Sequence, residues 1–268
     1  MWLFRYLFTN FYRAIQTPNG RWSLWLFLRY AGRPRHKSGE IPFLNYRFQV
    51  PDALSFVWQF KEIFADESYR FQTTSTAPVI LDCGANIGSS LAYFRQQYPN
   101  ARITAFEADP DIGTVLKQNL QTNHIHNIDL IIKAVWVNDQ GIDFGSGEAD
   151  AASLFSETNR RRVPSIRLRD YLLHEAHVDM LKIDIEGAET DVLIDCRDAL
   201  SNVQNLFVEF HAYIGHPQTL GTVVQILEEN GFRYYIDTNQ SRPRPLVNHR
   251  YRGNEVMDLQ LNIFAYRP

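Results

Sequence analysis

Cysteine is nearly absent, with Cys83 and Cys196 the only two in 268 residues. Two thiols cannot build a disulfide framework or a structural zinc spacing, and both fall in apolar stretches, which is the pattern of buried thiols in a reducing, cytoplasmic setting. Long apolar runs are missing too. No segment reaches the roughly 18 to 20 apolar residues of a spanning helix, and no small-residue cleavage site follows the aromatic N-terminus as it would in a signal peptide. Nor is there a large excess of one charge: the formal net charge of -3 argues against a general nucleic-acid binder.

One absence is local. Up to Gly39 the chain has no acidic residue, yet it carries Arg5, Arg13, Arg21, Arg29, Arg33, Arg35 and Lys37 among Trp2, Phe4, Phe8, Trp22, Trp25 and Phe27. Residues 1–39 therefore read as a basic, aromatic helical extension interrupted at Pro18, packed on the core or on a second copy. The alternative is peripheral contact with anionic lipid at the inner face of a membrane. Residues 40–78 follow as a lead-in segment. Phe43, Tyr46, Phe48 and Val50 have the spacing of a strand or small hairpin, and Phe56, Phe60 and Phe64 that of a helix.

With 45% hydrophobic and 21% charged residues, the chain can build one large α/β core. The core organises around VILDCGANIG, Val79 to Gly88. An apolar strand ends at Asp82, and Gly84 and Gly88 bracket Ala85 and Asn86 in a turn where backbone can approach a ligand and a helix N-terminus offers amides. Strands and helices then alternate. Strands are expected at 79–82, 102–106, 129–132, 178–183, 205–210, 232–236 and 259–266, with helices at 87–98, 111–122, 188–200 and 219–230. Helical crossovers imply a mainly parallel seven-stranded sheet with helices on both faces, and ligands bind at the carboxyl ends of such strands.

The chemistry at those ends is acidic. Glu107 closes the second strand, where a carboxylate accepts the ribose hydroxyls of an adenosine. The turn lacks the third-glycine spacing of a dinucleotide fingerprint, and Asp82 would repel a pyrophosphate, so a nicotinamide cofactor fits poorly. A cationic cofactor fits better, and S-adenosylmethionine carries a sulfonium and an ammonium.

DCGANIG, AFEADP at Ala105 to Pro110 and LKIDIEGAE at Leu181 to Glu189 together resemble the FkbM family of S-adenosylmethionine-dependent methyltransferases. The resemblance implies a class I methyltransferase (Rossmann-like) fold for residues 79–268, with Asp82, Gly84, Ala85, Asn86, Gly88, Glu107 and Ala108 as cofactor contacts. By analogy with related folds, Ala134 and Val135 flank the adenine. The lead-in KEIFADESYRF, Lys61 to Phe71, is similar to family members associated with glycans, which implies a sugar or glycan-bearing acceptor.

Alternation in the fourth strand turns Lys182, Asp184 and Glu186 to one side. In the fifth, Glu209 and His211 face the same rim. Methyl transfer to a hydroxyl needs alignment and a base, so His211 or Asp184 is expected to take the proton, with Glu209 orienting, while Asp184 and Glu186 also border the cofactor. Asp184, Glu209 and His211 could instead bind a divalent metal, which the spacing does not require. Between strands, Asp139 to Arg169 reads as a mobile cover with Ser153 near the site and Arg160 to Arg162 available to an acidic carrier, and Thr238 to Asp258 as a second loop near the acceptor. N- or carboxyl-methylation, or a membrane-surface module with a non-catalytic pocket, are the alternative readings.

Overall fold

The computed structural model describes residues 15–145, 160–238, 242, 244–249 and 257–268. The chain enters through α1 (Pro18–Tyr30), a hairpin of β1 (Gly39–Phe43) and β2 (Tyr46–Val50), and α2 (Ala53–Phe60), which runs on into a π-helical turn, Lys61–Ala65. The interruption expected at Pro18 is a bend at Thr17 after the helical Ile15 and Gln16; Pro18 then takes the first turn of α1, where its missing N–H is not needed, behind the Thr17 cap. Leu26 and Tyr30 bury their side chains in the cluster that holds Phe43, Phe48, Phe56, Phe60 and Phe64, so α1 packs on the core. Its Trp25, Leu28 and Arg29 stay exposed. No helix among the described residues is long and apolar enough to cross a membrane.

The doubly wound part comprises β3 (Val79–Cys83), α3 (Ser89–Gln97), β4 (Arg102–Phe106), α4 (Pro110–Thr122) and β5 (Ile128–Ile131). Short strands β6 (Ala134–Trp136), β7 (Ile142–Gly145), β8 (Arg160–Val163) and β9 (Ser165–Arg167) follow, then α5 (Leu168–His174). The chain ends with β10 (Val178–Ile183), α6 (Glu189–Asp195), β11 (Val203–Tyr213), α7 (Leu220–Glu229), β12 (Arg233–Asp237) and β13 (Met257–Tyr266). The main sheet has seven strands in the order β12-β13-β11-β10-β3-β4-β5. β5, β4, β3, β10 and β11 run parallel, and β13 is antiparallel to both its neighbours.

Sheet order decides where a ligand sits. The chain leaves β3 in one direction through β4 and β5 and returns to β10 on its other side, so the crevice lies above the carboxyl ends of β3 and β10. β10 is buried along its whole length, as a central parallel strand covered on both faces should be. The stretch expected as a mobile cover instead has a framework: β7 pairs with β8 and β6 with β9. Ser153 lies outside the described residues, as does much of the Thr238 to Asp258 loop. The helix expected to reach Leu200 ends at Asp195, and a short 3-10 turn, Leu200–Asn202, leads into β11.

Candidate active site

A cavity of about 750 Å3 opens above β3, β10 and β11. From the core it takes Gly84, Ala85, Asn86, Lys182, Asp184, Glu186, Glu209 and His211, and from the lead-in segment Trp58, Gln59, Glu62 and Tyr69. Residues 40–78 thus supply one wall of the site.

The turn after β3 is held by its own hydrogen bonds. Gly84 and Ala85 donate backbone N–H to the Phe106 carbonyl at 3.0 and 2.9 Å, and the Asn86 amide donates to Glu107 Oε2 at 2.8 Å. These three turn amides are therefore partnered, and the turn itself serves by shape. Gly84 and Gly88 have φ of +87° and +93°. A Cβ on Gly84 would stand 1.8 Å from the Asp184 carbonyl oxygen, so only glycine lets the turn lie against the end of β10.

Asp82 is fully buried beneath this turn and is not part of the cavity wall. Its carboxylate accepts from Ser90 Oγ at 2.5 Å and pairs with Lys182 Nζ at 3.2 Å. Lys182 also pairs with Asp184 at 3.3 Å and donates to the Gly84 carbonyl at 2.8 Å. Burial alone would lower its pKa, but Asp82 and Asp184 outweigh that and hold it above its ordinary value. Lys182 is therefore the cation that joins the β3 turn to the end of β10. Asp82, expected as a cofactor contact, positions that cation.

Glu107 is buried at the end of β4, with its two oxygens accepting from the Asn86 and Asp109 amides, each at 2.8 Å. Burial raises its pKa to about 7, against the lowering effect of those amides. Neither Glu107 nor Gly88 lines the cavity. Gly88 has a packing reason, since a Cβ there would meet Leu116 at 2.6 Å. Ala134 and Val135 are buried in β6 against β9, with Ala108 packed beside Ala134 and Ile142. Of the arginines proposed for an acidic carrier, Arg161 pairs with Asp109 and Asp111, and Arg162 donates to the Gln140 carbonyl.

Across the cavity, β11 extends to Tyr213 and sets Glu209 and His211 on one side, His211 Nε2 lying 4.0 Å from Glu209. Gln260 on β13 donates to Glu209 Oε1. His211 is almost wholly buried, with Nδ1 3.0 Å from Glu189 Oε1. Burial would lower its pKa, but Glu186, Glu189 and Glu209 raise it well above the ordinary imidazole range. His211 is the expected base, but the carboxylates around it favour its protonated form. Glu209 moves upward as well, through burial and the neighbouring Asp184 and Glu62.

An acid is expected at the positive end of the helix that follows β10. Glu189 does that work: it accepts from the Ile185 and Gly187 amides at 3.2 and 3.0 Å, while Glu186, at φ +56°, turns into the cavity. Glu189, Ser90, Glu62, Tyr69 and Gln59 were missed. Only Glu189 had a signal, as the acid two residues beyond Gly187 at the start of a helix.

The fit to a sulfonium cofactor is direct. Glu62, Asp184, Glu186 and Glu209 face a cavity whose innermost cation, Lys182, is already paired. A glycine turn and a buried carboxylate at the ends of adjacent parallel strands, beside that acidic cavity, fit the class I S-adenosylmethionine-dependent methyltransferase fold.

Residues 82–234 match the Methyltransferase FkbM domain, and the chain belongs to that family. Methyltransferase 1 of Beauveria bassiana is 27% identical over 213 residues, covering 69% of this chain and 84% of the relative. The 2-O-methyltransferase NoeI of Sinorhizobium fredii is 26% identical over 155 residues, covering 50% and 63%. The 31-O-demethyl-FK506 methyltransferase FkbM of Streptomyces tacrolimicus is 23% identical over 211 residues, covering 65% and 80%. Among solved structures, methyltransferase FkbM of Methylobacillus flagellatus is 20% identical at a TM-score of 0.49, covering 76% of this chain and 46% of that one.

Proposed function

We propose that this protein methylates a hydroxyl of a sugar-bearing acceptor, with Glu209 receiving the proton. The carrying observation is the juxtaposition, on one cavity wall, of Asp184 at the end of β10 with Glu209 and His211 on β11. A hydroxyl is a poor nucleophile until its proton leaves, whereas a neutral amine needs no base, so proton-accepting groups at the methyl position favour oxygen. Two relatives carry O-methylation in their names. The polar wall of Gln59, Asn86, Ser89 and Gln260, with Trp58 and Tyr69 beside it, suits a polyhydroxylated ring whose C–H face lies on an aromatic side chain.

Bound S-adenosylmethionine supplies an electrophilic methyl on a sulfonium. The chain's residues do the rest. Gly84 lets the turn approach, Glu107 at the end of β4 would accept ribose hydroxyls beside its amide partners, and the carboxylates around Lys182 favour positive charge in the cavity. When the acceptor oxygen takes the methyl group that the cofactor would supply, its hydroxyl proton would pass to Glu209. Burial keeps that carboxyl avid for a proton. His211, fixed by Glu189 through Nδ1, turns Nε2 towards the acceptor side of the cavity.

Methyl-labelled S-adenosylmethionine incubated with sugars, nucleotide sugars and glycolipids tests this reading. Label is expected on an oxygen, with kcat falling roughly 100-fold or more in Glu209→Gln and cofactor affinity nearly unchanged. Transfer to nitrogen, or full turnover in Glu209→Gln, would reject it.

A further inference from the structure

His211 presents an unusual edge to the cavity. Its side chain is 2% exposed, and Nδ1 is held at 3.0 Å by Glu189, itself buried and bound to two backbone amides. This fixes the ring and turns Nε2 inward. There the nearest carboxylates, Glu186 at 3.8 Å and Glu209 at 4.0 Å, both stand beyond hydrogen-bond reach. A carboxylate that fixes one imidazole nitrogen while the other points at further acids is the outer shell that metal-binding histidines use.

Asp184, Glu186 and His211 offer one ligand atom each, all within 4.8 Å of one another, and they form the candidate metal group among the described residues. Opposite ligands of a six-coordinate magnesium ion stand about 4.2 Å apart. Glu186, the most exposed of the three at 32%, has the most freedom to adjust to an ion. The charge agrees: Glu62, Asp66, Asp184, Glu186 and Glu209 line the cavity, and its buried lysine is already shared between Asp82 and Asp184.

We propose that Asp184, Glu186 and His211 form a site for a divalent cation of the magnesium or manganese type, open towards the acceptor. Two carboxylates and one imidazole suit manganese, and magnesium when water completes its shell. The site differs from the set read in the sequence by taking Glu186 in place of Glu209, which Gln260 holds and which stays outside as proton acceptor. Its use rests on the methylation reading. An acceptor hydroxyl drawn onto the ion becomes more acidic and gives its proton to Glu209, while a neighbouring hydroxyl on the same sugar can share the ion.

Manganese chloride added to the full chain without cofactor or acceptor tests the site apart from turnover. Electron paramagnetic resonance should show one equivalent of the ion leaving solution, and pulsed measurements should detect coupling to an imidazole nitrogen. Asp184→Asn and His211→Gln should each weaken binding at least tenfold, whereas Glu209→Gln should bind as wild type does. No stoichiometric binding, no nitrogen coupling, or equal loss in Glu209→Gln would each overturn the site, and the wild-type readouts decide even if a variant fails to fold. Manganese binding without label transfer to any sugar upholds the site and reopens the acceptor. Label transfer that chelation leaves unchanged, with no ion bound, overturns the site and leaves the methylation reading standing.

Discussion

Glu107 is a carboxylate whose burial holds its pKa near 7 while two amides occupy its oxygens. Its folded pKa lies above the ordinary carboxylate value of 4.5. The folded chain therefore keeps a proton that the unfolded chain has lost, and Glu107 contributes less stability as pH rises from about 4.5 to about 7. Cofactor binding has the opposite slope, because the ionised form is the better acceptor for ribose hydroxyls. Roughly a tenth of the groups are ionised at pH 6 and nine-tenths at pH 8, so affinity for S-adenosylmethionine should tighten by up to about ninefold over that range. Isothermal titration calorimetry at several pH values checks this. Glu107→Gln should bind weakly with a flat profile, and an unchanged slope in that variant would remove Glu107 from the ribose site. The residue itself was legible in the sequence as the acid ending the second strand. Its partners were not, because hydrogen bonds to the Asn86 and Asp109 amides depend on how two turns meet in space.

At the scale of elements, the connections between strands were harder to read than the strands themselves. Apolar runs such as VILDC and VDMLKI announce buried parallel strands, and both form where expected. The π-helical turn at Lys61–Ala65 has no such signal, since the spacing of Phe56, Phe60 and Phe64 is equally that of a continuous α-helix. It matters because Lys61, Glu62, Ile63 and Asp66 on or beside it line the cavity. The orientation of this wall is fixed from the other end of α2, where Asp52 caps the helix. Asp52 accepts from the Ser55 amide at 2.8 Å and the His36 amide at 2.6 Å, and pairs with Arg35 at 3.0 Å. Burial pushes its pKa up, but these hydrogen bonds more than offset it and leave the value at about 2. A depressed carboxylate stabilises the fold fully above about pH 4, and the contribution is lost as pH falls towards 2. Asp52→Ala should therefore cost about 1 to 2 kcal/mol at neutral pH, and the gap to wild type should narrow in acid. Denaturant unfolding at pH 7 and pH 3 measures both. An equal gap at the two values would show that the carboxylate charge is not what caps α2.

For the whole molecule, strand order was within reach of the sequence and the fate of its two ends was not. Alternating strands and helices imply a parallel sheet through the handedness of crossovers, and the antiparallel β13 follows from a final strand that no helix separates from β12 in the described chain. The basic, aromatic N-terminus satisfies an interfacial helix and a packed one equally well, because both require an apolar face. Burial separates the two faces of α1: Leu26 is 0% exposed among the phenylalanines of the lead-in segment, while Leu28 is 76% exposed. If α1 belongs to the fold and braces the α2 wall of the active site, removing the inward leucine must open a cavity in that aromatic cluster. Leu26→Ala should cost about 2 to 5 kcal/mol and lower the melting temperature by roughly 5 to 15 °C. Leu28→Ala should shift it by no more than about 2 °C. Calorimetry on both variants tests the asymmetry. Because α2 carries Trp58 and Gln59 into the cavity, Leu26→Ala should also weaken cofactor binding well below its melting point, with Leu28→Ala unaffected. Equal, small effects from the two leucines would instead make α1 an appendage that the methyltransferase core does not need.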